Sequence, residues 1–490
     1  MHSLTLISFF AYFCVLLAIG LISHKKQRSA ADFIMGNRSL NFWLTALSAH
    51  ASDMSAWLFM GFPAAIFIGG LSQSWIAFGL LGGMFCNWQF VAKPLRTMTE
   101  KYDSYTLSTF FENRYHDKSG VLRISTALIS VFFLTCYVAS GLISMGLLIE
   151  SVFGIDYYVG LGIATLVVVT YTLVGGFITV AWTDTFQALF LLAVVMIVPI
   201  IAFFSLKDGV SHIQAVAHSK QVSLAFFKDY SFESILGIIF LIFSWGLGYF
   251  GQPHIVTKFM GIKDANEMNK SKYVGMTWQF LTLLFAVLVG VVSLGFFPSG
   301  LEDSRLVFIE MVKQLFHPLV AGFVLCAVLA ATMSTIDSQM LVCSSVLSED
   351  FYKKIFRKTA SDLELLRVSR LGIVLVSGFS IMLAFNRNTS VIDAVHYAWS
   401  GLGSSFGPLV LMSLYSKKTN RYGAIAGVIV GGIIAGGWHL VNPYLTVYVV
   451  PPMIPGFLLS LTSIYVVSKM TQSEHTNGYA KTKSSALKDS

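Results

Sequence analysis

The sequence predicts an all-α polytopic membrane protein, and two observations lead there. The first is composition: hydrophobic residues make up 55% of the chain and charged residues 12%, with a mean hydropathy of +0.71. These values lie well outside the averages for soluble domains. The second is that apolar runs reach about 20 residues, the length at which a helix crosses a hydrocarbon core about 30 Å thick. The runs lack the alternation of membrane-barrel strands.

About thirteen apolar runs are long enough to be transmembrane helices. They cover approximately residues 3–23, 40–68, 74–99, 121–150, 156–177, 181–205, 231–257, 273–297, 318–346, 368–386, 391–415, 422–440 and 446–468. The first run is interpreted as a retained helix, because neither a basic segment nor a cleavage signal accompanies it. We therefore expect one membrane domain over residues 1–470 and a polar cytoplasmic tail over 471–490.

Lysine and arginine concentrate in alternate loops, which predicts the orientation. The basic segments are 25–38, 93–123, 258–272, 353–370, 417–421 and the tail from 469. Because basic loops stay in the cytoplasm, the N-terminus is expected outside and the C-terminus inside. The net charge of +8 follows from this asymmetry and favours anionic membrane lipid, so no nucleic-acid partner is needed to explain it.

Polar groups interrupt the second run, where residues 46–60 read ALSAHASDMSAWLFM. Asp53 lies at membrane depth together with Ser48, His50, Ser52 and Ser55. A charged side chain there costs roughly 3 kcal/mol or more, so it normally faces a bundle interior and marks an ion or substrate pathway. This segment is the first candidate for a functional site.

The seventh run is interrupted as well, since residues 244–255 read SWGLGYFGQPHI. Glycine frees the backbone and proline removes a donor, so the helix should break near its middle. Two interrupted spans, five spans apart, are typical of inverted-repeat transporters with a midplane site. The repeats would cover about 40–205 and 231–415. A simple packing kink is the alternative.

A third polar cluster lies in the ninth run, LAATMSTIDSQML at 329–341. Ser334, Asp337 and Ser338 share one helical face, with Thr335 beside it. Hydroxyl, carboxylate and freed carbonyl oxygens suit a hard cation such as sodium. The alternative is that these hydroxyls only hold neighbouring membrane helices together.

Other classes of protein fit less well. No GxxxxGK[ST] loop is present to bind ATP phosphates, so uphill transport would draw on an ion gradient. Bulky aromatic residues in the interrupted spans favour an occluded site over an open channel. An enzyme is not expected, since the chain has no HExxH helix. No cofactor is expected beyond sodium as the coupling ion.

Five strings in sequence order resemble the solute:sodium symporter family, and within it the bacterial proline carriers. They are ASDMSAWLFMG (51–61), YVASG (137–141), GGFITVAWTDTFQ (175–187), SWGLGYFGQPHI (244–255) and LAATMSTIDSQMLVCSS (329–345). The resemblance implies the leucine-transporter fold: a five-plus-five inverted repeat with one extra helix before it and two after. It also implies a bacterial inner-membrane protein that imports L-proline with sodium. Relatives that carry pantothenate, other amino acids, sugars or sialic acid are the alternatives.

The resemblance also implies roles for particular residues. The main sodium site would use Ala51, Met54, Ala331, Ser334 and Thr335. Asp53 would serve sodium coupling, either as a ligand or as an organiser of the broken helix, and we favour the organiser. The substrate pocket would comprise Ser55, Ala56, Trp57, Tyr137, Trp245, Tyr249 and Pro253. Aromatic walls fit a pyrrolidine ring, while helix ends and hydroxyls can hold its charged groups.

Asp184, in the string WTDTF, has two interpretations. Relatives place an aspartate near a second cation, which here would also involve Ser334, Asp337 and Ser338. A gating or helix-capping role is equally compatible with the sequence.

Two residues depart from the family pattern. Ala56 stands where proline carriers usually have glycine, and its methyl group could trim the pocket or shift selectivity. His50 replaces a small residue one turn before Asp53. It could sense pH, but packing or hydrogen bonding within the bundle is the interpretation we favour.

Overall fold

The computed structural model describes residues 2–23, 30–445 and 448–486, which form a helical bundle. The α-helices of these segments are α1 (His2–Ser23), α2 (Ala30–Met35), α3 (Phe42–Asp53), α4 (Phe62–Gly69), α5 (Trp75–Cys86), α6 (Lys93–Lys101), α7 (Leu107–Arg114), α8 (Val121–Phe153), α9 (Tyr157–Val174), α10 (Phe177–Ser205), α11 (Gly209–Ser219), α12 (Phe232–Gly246), α13 (Pro253–Met260), α14 (Met268–Phe296), α15 (Val307–Leu315), α16 (Pro318–Ser345), α17 (Asp362–Ala384), α18 (Val391–Tyr415), α19 (Arg421–Leu445) and α20 (Met453–Ala486).

Ten helical segments among the described residues are long and apolar enough to cross a membrane, or eleven if the bent pair of α3 and α4 is one span. Helix α9 is apolar but slightly shorter, and α18 occupies the eleventh predicted run. Each of the thirteen predicted runs therefore contains an α-helix. The number of membrane crossings, thirteen, stays a prediction.

Helix α16 is the central element of the bundle. In its candidate span, Pro318–Phe356, 83% of the 18-residue apolar window is buried, a larger share than in any other candidate span of the described residues. It packs against α1, α3, α8 and α10, while α3 also packs against α13 and α14. The polar residues of α3 and α16 therefore face the protein interior rather than lipid, as expected for functional groups at this depth.

The first broken segment joins α3 to α4 with a bend of 70°. The amide of Ser55 bonds to the carbonyl of Asp53 at 3.1 Å, so it does not continue the helical pattern to Ala51. The amide of Leu58 bonds to the carbonyl of Ser55 at 3.1 Å rather than to that of Met54. The break thus releases the carbonyl oxygens of Ala51 and Met54 from the helical ladder.

The second broken segment lies where the Gly and Pro pattern predicts it. Helix α12 ends at Gly246, a 3₁₀ turn follows over Leu247–Gly251, and α13 begins at Pro253. Proline has no N–H to lose and favours an extended residue before it, as seen at Gln252 (φ −87°, ψ 104°). A Cβ on Gly248 would lie 1.9 Å from Trp399 Nε1, so only glycine permits this approach.

The sequence GSSFG at 403–407 has the spacing of a nucleophile elbow. It lies inside the continuous helix α18, whereas such an elbow requires a sharp turn between a strand and a helix. The string is therefore a helix-packing segment: a Cβ on Gly407 would lie 2.6 Å from the ring of Phe457.

Candidate sodium and substrate sites

Four of the five residues expected at the main sodium site meet where α3 ends against α16. Ser334 Oγ donates to the carbonyl oxygens of Ala51 at 2.9 Å and Ala331 at 3.0 Å. Thr335 Oγ1 donates to the carbonyl of Ala331 at 3.1 Å and lies 3.5 Å from that of Ala51. The released carbonyl of Met54 belongs to the same break. All five residues are buried.

This cluster offers neutral carbonyl and hydroxyl oxygens, which suit a hard cation. Among the described residues, no group of three or more His, Cys, Asp or Glu side chains is placed to hold a metal ion. The chemistry therefore favours sodium over a transition metal. Because each hydroxyl can rotate its proton away, the oxygens that now bond to each other can turn toward an ion.

Asp53 connects the two broken segments. Its Oδ2 accepts a hydrogen bond of 2.5 Å from the hydroxyl of Tyr249, which in turn accepts one of 2.9 Å from Gln279 Nε2. Its other oxygen, Oδ1, is buried without a hydrogen-bond partner. Sequence reasoning placed Tyr249 in the substrate pocket and missed Gln279, which lies in an otherwise apolar stretch of α14.

Three tryptophans form an aromatic cluster between the broken segments. The rings of Trp57 and Trp245 lie 5.9 Å apart, and Trp399 lies 6.2 Å from Trp245. Trp245 also packs on His396 at 5.1 Å, and Tyr249 packs edge-on to Trp399 at 5.0 Å. Trp399 and His396 were not expected from sequence, because α18 carries no broken-helix signal.

The other expected pocket residues are distributed around this cluster. Tyr137 packs edge-on to His254 at 5.7 Å, and its hydroxyl is buried without a partner. Ser55 and Ala56 are buried in the first break. Pro253, at the start of α13, lines a narrow cavity beside α16 that none of the aromatic-cluster residues lines.

The expected second-cation residues are only partly assembled. Asp184 Oδ2 accepts hydrogen bonds from Ser48 at 2.6 Å, Ser52 at 3.4 Å and Lys258 at 3.1 Å. Ser338 Oγ lies 2.8 Å from Ser52 Oγ. Asp337, in contrast, accepts its 2.5 Å hydrogen bond from Thr172 of α9.

Asp184 does not cap a helix: the capping interpretation is wrong, because α10 begins at Phe177 and Asp184 lies inside it. Lys258, which sequence reasoning assigned to a cytoplasmic basic loop, is buried against Asp184. The pair could have been expected from the sequence, because Asp184 is an acidic residue within one apolar run and Lys258 is a basic residue shortly after the break in another.

His50 is fully buried and packs within the bundle. Its Nε2 accepts a hydrogen bond of 3.1 Å from Trp88, and its ring packs between the rings of Trp88 and Trp278. A Cβ on Gly275 would lie 2.3 Å from the ring, which shows how closely α14 approaches. The geometry agrees with the favoured packing interpretation.

A helical bundle with two broken helices and a buried cluster of oxygen atoms where the first break meets α16 is the architecture of an ion-coupled secondary transporter. Residues 33–431 match the model of the Sodium:solute symporter family. The chain belongs to this family, and it is a sodium-coupled symporter rather than an enzyme.

Curated relatives match over nearly the whole chain. The chain is 43% identical to the high-affinity proline transporter PutP of Bacillus subtilis, over 93% of this chain and 96% of the relative. It is 41% identical to the osmoregulated proline transporter OpuE of the same bacterium, over 95% of each. It is also 41% identical to the sodium/proline symporter of Staphylococcus aureus, over 96% of this chain and 93% of the relative.

Solved structures share the fold. A substrate-bound, outward-open Na⁺-coupled sialic acid symporter aligns with a TM-score of 0.80 at 19% identity, covering 95% of this chain and 98% of that one. MhsT in complex with L-phenylalanine aligns with a TM-score of 0.55 at 12% identity, covering 86% and 97%. The leucine-transporter fold expected from the sequence is confirmed by these neighbours.

Proposed function

We propose that this protein imports L-proline together with sodium. The observation that carries the proposal is the identity of 41–43% to three proline transporters over at least 93% of the chain. Sodium as the coupling ion follows from the family. The aromatic cluster between the broken segments supports a small, ring-shaped solute, since such walls make apolar contact with a pyrrolidine ring.

In this proposal, sodium binds between α3 and α16. Its ligands are the carbonyl oxygens of Ala51, Met54 and Ala331 and the hydroxyls of Ser334 and Thr335. The hydrogen bonds that already join these groups support the assignment, because they hold the oxygens within a few ångströms of one another. Asp53 acts as the organiser of the first break through its hydrogen bond to Tyr249.

Proline then binds beside the two breaks. Ser55, Ala56, Trp57, Tyr137, Trp245, Tyr249 and Pro253 are the proposed contact residues. The positive dipole end at the N-terminus of α13 favours the substrate carboxylate, and the C-terminal end of α3 favours its ammonium. The unpartnered hydroxyl of Tyr137 supplies one further polar contact.

Coupling follows from the shared helix. Sodium fixes the end of α3, and the same break presents Ser55 and Trp57 to the substrate, so each ligand raises the affinity for the other. One charge moving inward across 100 mV releases about 2.3 kcal/mol, enough for roughly fortyfold accumulation. A single sodium ion is therefore sufficient for useful uptake.

We further propose that the protein lies in the bacterial cytoplasmic membrane, with the N-terminus outside and the C-terminus in the cytoplasm. The basic loops support this orientation. Residues 1–470 would form one transport domain with repeats over about 40–205 and 231–415, and residues 471–490 a polar tail.

The direct test is uptake of radiolabelled L-proline into proteoliposomes with an inward sodium gradient, compared with an equal potassium gradient. We expect sodium-dependent accumulation that excess unlabelled proline abolishes. Pantothenate, sialic acid, sugars and other amino acids serve as competitors. Absence of proline uptake together with sodium-driven uptake of one competitor would reject proline as the substrate and implicate Ala56.

A further inference from the structure

The geometry points to a built-in cation: the ammonium group of Lys258 takes the place of a second sodium ion at Asp184. One sodium ion would then enter per transport cycle, and removing the ammonium would turn this position into a second sodium site. This inference rests on the proposed sodium symport and concerns the number of ions that the symport uses.

The ion pair is deeply buried. Lys258 Nζ lies 3.1 Å from Asp184 Oδ2, and the two side chains are 1% and 0% exposed. The ammonium also lies 5.1 Å from the centre of the Phe177 ring, whose face attracts a cation. Lys258 belongs to α13, the second half of the second broken helix, and Asp184 to α10. The ammonium therefore lies between the second broken helix and α10.

The surroundings of Asp184 are those of a cation site. The hydroxyls of Ser48 and Ser52 reach its Oδ2, and Ser338 is 2.8 Å from Ser52. Asp184 Oδ1 is buried without a hydrogen-bond partner. Three hydroxyls and one carboxylate with a free oxygen form a donor set typical of a hard cation.

This set is also continuous with the proposed first sodium site. Ser52 follows Ala51 on α3, and Ser338 lies one helical turn after Ser334 on α16, on the same face. Lys258 provides the positive charge on this side of the junction. While the ammonium of Lys258 is present, no second sodium ion is needed to balance the charge of Asp184.

Removing the lysine charge leaves Asp184 buried and uncompensated, which is strongly unfavourable. A narrow cavity lined by Lys258, Pro253 and Ser338 adjoins the pair. Replacing the ammonium by an apolar side chain of similar length would leave the oxygens in place and the charge missing. Sodium, a hard cation of the kind that these oxygens ligate, would supply that charge.

The test uses the full-length protein in proteoliposomes and measures ²²Na⁺ and labelled proline entering together, at a range of sodium concentrations. The variants are Lys258→Met, Lys258→Arg as the charge-retaining control, and the double variant Lys258→Met/Asp184→Asn. We expect one sodium per proline and a hyperbolic sodium curve for the wild type and for Lys258→Arg. Lys258→Met should carry two sodium ions per proline with a sigmoidal curve, and the double variant should return to one.

A Lys258→Met variant that still takes up one sodium per proline with a hyperbolic curve would overturn the inference. If that variant is unstable or inactive, its melting temperature is measured in sodium and in choline. A sodium-specific increase larger than that of the wild type, lost again in the double variant, supports the inference, and an equal or smaller increase overturns it.

Sodium-binding measurements distinguish a failure of the Lys258 inference from a failure of the proposed proline transport. Equilibrium ²²Na⁺ binding to the purified proteins needs no proline, and we expect one site in the wild type and two in Lys258→Met. A wild type that binds one sodium but does not transport proline rejects the substrate and leaves the Lys258 assignment standing. One sodium site in both proteins rejects the Lys258 assignment whatever the substrate.

Discussion

At the scale of single residues, the hydrogen bond between Asp53 and Tyr249 is the contact that most directly joins the proposed ion and substrate sites. It links the last helical residue of α3 to the 3₁₀ turn of the second break. A carboxylate committed to this bond orders the end of α3, whose released carbonyl of Ala51 is a proposed sodium ligand. Asp53 thus affects the ion through the backbone that it positions.

Tyr249→Phe removes the hydroxyl and keeps the ring. A hydrogen bond to a charged group contributes about 1.5–3 kcal/mol, so the apparent sodium affinity should fall by about tenfold or more. The measurement is proline uptake as a function of sodium concentration. The control is Tyr157→Phe, which removes a buried hydroxyl bonded to the carbonyl of Ala384, away from both breaks. Equal sodium curves for the two variants would contradict the organising role.

Asp53→Asn should weaken sodium coupling in the same assay, because the amide no longer attracts the tyrosine hydroxyl as strongly as the carboxylate does. Combined with Tyr249→Phe, the losses should not add, since both variants remove the same contact. Additive losses would show that Asp53 also acts directly on the ion.

The sequence predicted which residues would be polar at membrane depth, but not how they pair. Asp53 and Asp184 were conspicuous because a charge is costly there. Their partners, Tyr249 and Lys258, come from segments about 200 and 74 residues away, and pairing at that separation depends on how helices pack. Lys258 was misassigned because a basic residue near the end of a span is ordinarily counted with the adjacent cytoplasmic loop.

At the scale of elements, the second break depends on close packing between its backbone and α18. Trp399 Nε1 donates to the carbonyl of Trp245 at 3.0 Å, and its ring lies against Gly248. The break was predictable from Gly and Pro spacing. Its partner was not, since nothing in the sequence of α18 distinguishes Trp399 from a lipid-facing aromatic residue.

Gly248→Ala should therefore abolish uptake or strongly destabilise the protein, because the new methyl would lie 1.9 Å from Trp399 Nε1. Gly237→Ala, in α12, is the matched control, since its Cβ would meet nothing within 4 Å. Alanine should be neutral or slightly stabilising there, given its higher helix propensity. The measurements are melting temperature and proline uptake. Similar behaviour of the two variants would contradict the close packing.

An ion network connects α8 to the π-helical segment Val346–Phe356, which directly follows α16. Arg123 Nε lies 2.6 Å from Asp350, and its Nη1 lies 3.1 Å from Glu112. Arg123→Ala should lower the free energy of unfolding by about 3–5 kcal/mol, because it leaves a buried carboxylate unpaired. Lys270→Ala removes an exposed partner of Glu267 and should cost less than about 1 kcal/mol. Equal melting temperatures for the two variants would contradict this assignment.

At the scale of the whole molecule, composition and run length predicted the helical bundle, and the family resemblance predicted its fold. What they could not establish is orientation relative to the membrane. The proposed topology places the loop between α17 and α18 outside and the loop between α18 and α19 inside.

Cysteine labelling of the full chain tests this topology, after replacement of the five native cysteines. An impermeant maleimide added to intact cells should label Asn388→Cys and should not label Lys417→Cys until the membrane is permeabilised. Both side chains are exposed on the protein surface, so a difference in labelling reports the side of the membrane and not burial within the protein. The opposite labelling pattern would invert the topology and contradict the positive-inside assignment.

In the proposed mechanism, sodium at the α3–α16 junction and proline beside the two breaks bind to one coupled structure. The most direct measurement is the equilibrium affinity for proline with and without sodium, and for sodium with and without proline, on the purified protein. Linkage requires both affinities to increase by the same factor, and we expect about tenfold or more, equivalent to about 1.4 kcal/mol of coupling. A proline affinity that does not depend on sodium would contradict this coupling.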